Sequence, residues 1–274
     1  MNNEVINKRI NMKKIENIAS AQNPHIKILG KLAHKKYRHE YGQFMVENLV
    51  IIHDALKSGY DFKALFVTDK FINKHKDEFE YIMEKSKAEK FYSIDEKINK
   101  AYSGLDTPSG ITAVYDIEKN KLNKTSPVIY LNGISDPGNL GTILRTALAF
   151  GFENIVVDKS CADIYNAKTL GAAKDSIFKL NIIEDEKDDW LETNKKIMPV
   201  YAAAADKGIG LEKFEPAEIF ALVLGSESHG VNERILKLAD ERIRIGISKK
   251  IESLNVATAA GILLYKLHAL NNGK

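Results

Sequence analysis

The chain has a single cysteine, Cys161, in 274 residues. One thiol excludes an internal disulfide and any zinc site built from cysteines, and the scarcity fits a reducing compartment. Long hydrophobic runs are missing too: nothing approaches the ~18 apolar residues of a membrane span. Met1 to Lys14 is polar and charged, without the apolar stretch of a secretory leader. The expectation is a soluble, cytoplasmic protein. Nor is there a surplus of one charge sign. Lys plus Arg number 40 against 37 Asp plus Glu, a formal net charge of +3, so nucleic-acid binding can be argued only from where charges sit. No internal repeat or low-complexity tract is present.

What is present is ordinary globular material, 44% hydrophobic and 28% charged, enough for two modest cores. Between Glu16 and Glu40 there is no acid, while Lys27, Lys31, Lys35, Lys36 and Arg38 fall there among His25, His34, Tyr37 and His39. Lys27, Lys31, Lys35 and Arg38 recur at steps of three and four, so one helix would carry them on one face, a row of candidate RNA phosphate ligands. Strand and helix patterns then alternate. Strands are predicted at Phe44–Glu47, Ala64–Thr68, Lys90–Ile94 and Ile111–Tyr115, with helices over Asn48–Lys57, Phe71–Lys87 and Glu96–Tyr102. Residues 1–117 therefore form a small α/β domain. The polar stretch 118–126, stopped by Pro127, reads as a linker to a second domain, 127–274.

The second domain has more apolar strands, at Val128–Leu131, Ile155–Val157, Phe178–Ile183, Met198–Tyr201, Ile219–Leu224 and Ile243–Ile245. Near-continuous apolar strands separated by helices predict a mostly parallel sheet covered on both faces, hence an α/β fold. A helix from Leu140 places Leu140, Ile143, Leu144, Ala147 and Leu148 on one stripe, with Arg145 off it, and the last helix, Leu254–Leu270, is apolar on most sides. Burial of that helix against the sheet, a second subunit or both follows, and a homodimer is expected.

Three segments end strands and open helices, where open α/β sheets gather ligand-binding residues. The first, Asn132 to Arg145, contains Asp136-Pro-Gly-Asn-Leu-Gly, with Asp136 or Asn139 placed to cap a helix. The second, Leu224-Gly-Ser-Glu-Ser-His-Gly230, has neither the Gly-x-Ser-x-Gly of a hydrolase elbow nor the Gly-x-Gly-x-x-Gly of a dinucleotide fold. It offers backbone polar groups and the Glu227 carboxylate, suited to a neutral or cationic ligand, and His229 is either a base or an exposed loop histidine. The third, Ile245 to Val256, carries Lys249 and Lys250 and ends Ser253-Leu-Asn-Val, with Ser253 read as the N-cap.

Together the segments resemble the three motifs of the SpoU, or TrmH, family of RNA ribose 2′-O-methyltransferases: an Asn and an Arg six apart, Gly-x-Glu-x-x-Gly, and Ser-Leu-Asn-Val, in that order. Asn23 through Glu47 resembles the family's ribosomal-protein-like substrate-binding domain. The resemblance implies a C-terminal trefoil knot and S-adenosylmethionine bound against Gly225, Ile245 and Leu254. It implies a reacting ribose among Asn139, Arg145, Glu227, Ser253 and Asn255. A family proposal makes the arginine a general base, which a guanidinium pKa above ~12 opposes; binding the adjacent phosphate or the developing alkoxide suits it better. Ribosomal RNA is the implied substrate, with transfer RNA, base methylation and a non-catalytic RNA-binding protein as alternatives. The chain departs from the family where Ile245-Gly-Ile replaces Ile-Pro-Met, where Lys168 to Phe178 lacks the usual Arg, Ser and Gly, and where Asn48 replaces a glycine. These changes bear on substrate choice more than on reaction type.

Overall fold

The structure, a computed structural model, describes residues 14–272, so the N-terminal segment read above lies outside them up to residue 13. The chain divides into two compact units, Met1–Glu118 with Tyr165–Leu170, and Lys119–Ile164 with Gly171–Lys274. Among the described residues no helix is long and apolar enough to cross a membrane.

The first unit runs β1 (Ile15–Ile18), α1 (Pro24–Leu32), α2 (Lys35–Tyr41), β2 (Gln43–Val46), α3 (Leu49–Lys57), β3 (Ala64–Thr68), α4 (Asp69–Lys74), α5 (Lys76–Lys85), β4 (Lys90–Ile94), α6 (Glu96–Tyr102) and β5 (Ile111–Asp116). Its sheet has the order β1-β4-β3-β5-β2; β1, β4 and β3 are parallel, and β5 is antiparallel to both β3 and β2. Helix starts follow local chemistry: the side chains of Asn48, Thr68 and Asp95 each accept a hydrogen bond from the backbone N–H three residues on.

Three expectations are corrected here. Phe71–Lys87 is two helices broken at His75, whose backbone leaves the helical region (φ −126°), and Asp77 and Glu78 then favour a fresh N-terminus. β1 escaped notice because only Ile18 of its four residues is buried, as befits an edge strand. The basic stripe is not one helical face, since the chain turns at Ala33 and His34 between α1 and α2. Lys27, Lys31, Lys35 and Lys36 remain exposed, but Arg38 is buried, and its Nη1 donates to the Leu32 carbonyl at 2.5 Å. That carbonyl is one of those a helix end leaves without an intrahelical donor. Arg38 is therefore a capping group, withdrawn from the stripe.

The second unit runs β6 (Val128–Asn132), α7 (Pro137–Ala149), β7 (Asn154–Asp158), α8 (Ala167–Ala173, of which the residues up to Leu170 count with the first unit), α9 (Ser176–Lys179), β8 (Asn181–Asp185), α10 (Trp190–Asn194), β9 (Val200–Ala204), β10 (Ile209–Gly210), β11 (Ala221–Gly225), α11 (Glu233–Leu238), β12 (Glu241–Arg244) and α12 (Val256–Asn272). The strand order is β10-β12-β9-β11-β6-β7-β8, with every pairing parallel. All five residues of β6, β7 and β11 are buried, the pattern of a sheet covered on both faces. Each fully buried Val or Leu there contributes about 1.5–3 kcal/mol. The strand read at Phe178–Ile183 begins at Asn181 instead, because Ser176–Lys179 closes a helical turn first. Residues of the expected linker are fastened to this unit: the buried Asn154 amide donates to the Asn123 and Ser126 carbonyls and its oxygen accepts from the Asn123 N–H. Helix α12 packs on α7, burying Ala260, Leu263, Leu264 and Leu267 and leaving Ile262 and Tyr265 exposed.

Candidate active site

The loop after β6 turns at Gly133 (φ +70°) and enters α7 through Pro137, whose fixed φ suits a first helical turn. Asp136 is the cap, accepting from the Asn139 N–H at 2.8 Å. This leaves the Asn139 amide free for other work. On the buried stripe of α7 lie Leu140, Ile143, Leu144 and Ala147; Arg145 projects from the opposite side and is exposed.

The loop after β11 is tied by reciprocal backbone bonds between Ser226 and Gly230, at 3.1 and 2.9 Å. Gly225 lies hard against it. A Cβ at position 225 would sit 2.1 Å from both the Gly230 carbonyl carbon and the Val231 nitrogen. Only glycine allows that approach. His229 is exposed, with Nδ1 2.8 Å from the Ser228 hydroxyl.

The third segment corrects one expectation. Helix α12 starts at Val256, and Asn255, not Ser253, caps it, accepting from the Ala257 and Thr258 N–H groups at 2.9 and 3.2 Å. With its oxygen so engaged, the Asn255 amide donates to the Asn139 oxygen at 3.1 Å, and the Asn139 amide donates to the Glu227 carboxylate. Residues 88 and 116 positions from Asn139 are thus joined to it side chain to side chain. The three segments meet in one hydrogen-bonded line.

Beside that line lies a cavity of about 410 Å³ outside the C-terminal ends of β9, β11 and β12. Gly225, Glu227, Ile245, Ser253 and Leu254 are on its walls, so all three residues expected to hold the cofactor border one space. Arg145, Asn139 and Asn255 are not among the wall residues. Another part of the wall, Ala203 to Asp206, was not read from the sequence, although its place at the end of a parallel strand was the available signal.

A second group missed by sequence reasoning underlies the first loop. Asp158, at the end of β7, accepts from the Asn132 amide at 2.6 Å and from the backbone N–H groups of Gly133, Ser160 and Cys161. The Asn132 oxygen in turn accepts from the Asn232 N–H at 2.9 Å, linking the first segment to the exit of the second. Burial first, then the Asp158 charge, pushes the Cys161 thiol well above its usual range, so the chain's one cysteine is a packed thiol and not a nucleophile.

A parallel α/β unit with its polar residues gathered at one set of strand ends, following a small α/β domain in the chain, is the architecture of a two-domain SPOUT-type methyltransferase. Residues 126–265 match the SpoU rRNA Methylase family, and residues 23–113 match the MRM3-like substrate binding domain. The chain belongs to the SpoU rRNA methylase family. It is similar to the 23S rRNA (guanosine(2553)-2′-O)-methyltransferase RlmP of Bacillus subtilis, at 33% identity over 93% of this chain and 99% of that one. Mitochondrial rRNA methyltransferase 3 of Homo sapiens is 27% identical over 85% of this chain and 69% of its own length. Among solved structures, a TrmH-family protein from Porphyromonas gingivalis superposes with a TM-score of 0.76 at 28% identity, covering 90% of this chain and 97% of that one.

Proposed function

We propose that the protein transfers the methyl group of S-adenosylmethionine to a ribose 2′-hydroxyl of ribosomal RNA in the cytoplasm. The observation that carries this reading is the Asn255–Asn139–Glu227 line at the rim of the 410 Å³ cavity, which unites the three segments at one place. The volume suits a nucleoside-sized ligand. Leu224, Ile243, Leu254 and Leu263 supply apolar wall, while Glu227 and Asp206 supply carboxylates for a cationic end. When bound, the cofactor supplies an electrophilic methyl group. The protein's part is to position: Gly225 admits the close backbone, Asn139 and Asn255 hold Glu227 in place, and Arg145 meets the phosphate or the charge developing on the ribose oxygen. The names of the relatives support ribosomal RNA as the substrate.

The test is label transfer. Incubated with tritiated S-adenosylmethionine and separate ribosomal and transfer RNA pools from cells lacking the protein, ribosomal RNA is expected to take up label that survives alkali in a resistant dinucleotide. The guanosine that names the Bacillus subtilis relative is the first position to map. Label confined to transfer RNA, or found on a base, would refute the reading as stated.

The first unit is proposed to hold the RNA through Lys27, Lys31, Lys35 and Lys36. Neutralising Lys31 and Lys35 together is expected to reduce the slope of log affinity against log salt by about 1.4–1.8, because each phosphate contact contributes about 0.7–0.9. An unchanged slope in a salt titration would remove the stripe from the interface. Pairing of two copies through α12 is part of the same proposal, since Ile262 and Tyr265 are 38% and 63% exposed on an otherwise apolar helix. Sedimentation of the wild-type protein and of Tyr265→Glu, expected as dimer and monomer, checks it.

A further inference from the structure

We infer that Tyr37, with the lysines around it, forms a stacking site for an unpaired base of the RNA, at the corner between α1 and α2. This rests on the RNA reading above and adds the substrate's local structure: at that point the RNA is single-stranded. Exposed lysines alone would serve for phosphates. The corner also carries rings, and they are arranged. Tyr37 lies edge-on to His34, with centroids 6.4 Å apart, and within 16° of parallel to Tyr41 at 6.2 Å. Lys31 donates a hydrogen bond to the Tyr41 hydroxyl at 2.9 Å, and that anchor sets its ammonium 5.4 Å from the Tyr37 centroid. Lys36 stands 5.7 Å from the same ring.

Tyr41 has a packing role, since it lies against the core cluster of the first unit formed by residues such as Ile26, Leu29 and Leu32. Tyr37 is not part of that cluster and is only half-buried; its ring contacts are with His34 and Tyr41 at the surface. Charge points to an anionic occupant. No acid stands between Glu16 and Glu40, and Glu40, in the last turn of α2, is the one acid of the two helices, against Lys27, Lys31, Lys35 and Lys36. A half-exposed aromatic ring with mobile-stemmed lysine ammoniums over it is the composition of single-strand binders, in which a base stacks on the ring while the lysines move to the flanking phosphates. Duplex RNA presents its bases already stacked and would use the lysines alone.

The test compares the full-length wild-type protein with Tyr37→Leu and Tyr37→Phe in fluorescence anisotropy, using a short labelled single-stranded RNA and a short RNA duplex. Tyr37→Leu is expected to weaken single-strand binding by about tenfold and to leave duplex binding within about twofold; Tyr37→Phe keeps both. Equal losses on both probes, or no loss on the single strand, overturn the proposal. A measurement on the wild-type chain avoids any folding defect: photo-crosslinking of a 4-thiouridine-substituted single strand, located by mass spectrometry, is expected within residues 34–41, and crosslinks confined elsewhere overturn it. Failure of methyl transfer is a separate result. A protein that passes these binding tests but labels neither RNA pool sinks the catalytic reading, whereas labelled ribosomal RNA with indifferent Tyr37 variants sinks only the stacking site.

Discussion

Arg145→Ala is expected to slow methyl transfer by about 10²- to 10³-fold while leaving the Kd for S-adenosylmethionine within about twofold of wild type. The two halves of that prediction have separate structural grounds. Arg145 projects from the exposed side of α7, away from the stripe of Leu140, Ile143, Leu144 and Ala147, so truncation removes no core packing. It is also absent from the cavity walls, so cofactor contacts survive. What is lost is a cation placed on the same helix as Asn139. A guanidinium has no lone pair suited to accept the 2′-hydroxyl proton; the proposed role is to stabilise charge on the ribose oxygen or to hold the neighbouring phosphate. Arg145→Lys should therefore recover part of the rate without the forked geometry. Single-turnover kinetics with saturating RNA separates the cases, since loss of phosphate binding alone would raise KM and spare kcat. Wild-type turnover in Arg145→Ala would remove the residue from the chemistry.

Gly225→Ala is expected to abolish measurable S-adenosylmethionine binding, or to destabilise the second unit by at least about 1–3 kcal/mol, the usual cost of overpacking. The added methyl would stand 2.1 Å from the Gly230 carbonyl carbon and 2.1 Å from the Val231 nitrogen, both backbone atoms. Neither can swing aside as a side chain would, because Ser226 and Gly230 clamp the loop with two backbone hydrogen bonds. Relief would displace Gly230 and Val231, which line the same cavity as Gly225. Gly230→Ala is the control. It has φ +66° but nothing within 4 Å of the new methyl, so it should cost only the modest strain of a left-handed residue. Calorimetric titration with S-adenosylmethionine, alongside thermal unfolding, distinguishes the two substitutions. If Gly225→Ala binds cofactor as the wild type does, the proposed seating of the cofactor is wrong.

Much of this was legible in the chain itself. The run Val128 to Leu131 and the run Ala221 to Leu224 could be read as fully buried parallel strands because burial on both faces removes the polar alternation of an exposed strand. Gly225, Glu227 and Asn255 could be picked out because their spacing repeats a family pattern. Other features were hidden for identifiable reasons. Ser253 and Asn255 are both sound caps by chemistry, and only the actual start of α12 at Val256 decides for Asn255. Arg38 has the same sequence credentials as Lys35, yet the turn at Ala33 and His34 delivers it to the Leu32 carbonyl.

The sequence by itself determined the α/β class, the parallel sheet of the second unit and the short segments where its polar residues gather, since these depend on local periodicity and on turn chemistry. Only the tertiary structure decided which of those residues meet. The bonds from Asn139 to Glu227 and Asn255 span 88 and 116 positions, and the Asn132–Asp158 bond spans 26. Such contacts arise because parallel strands bring their C-terminal ends to one edge whatever their separation along the chain, and no local pattern records which side chains will then face one another.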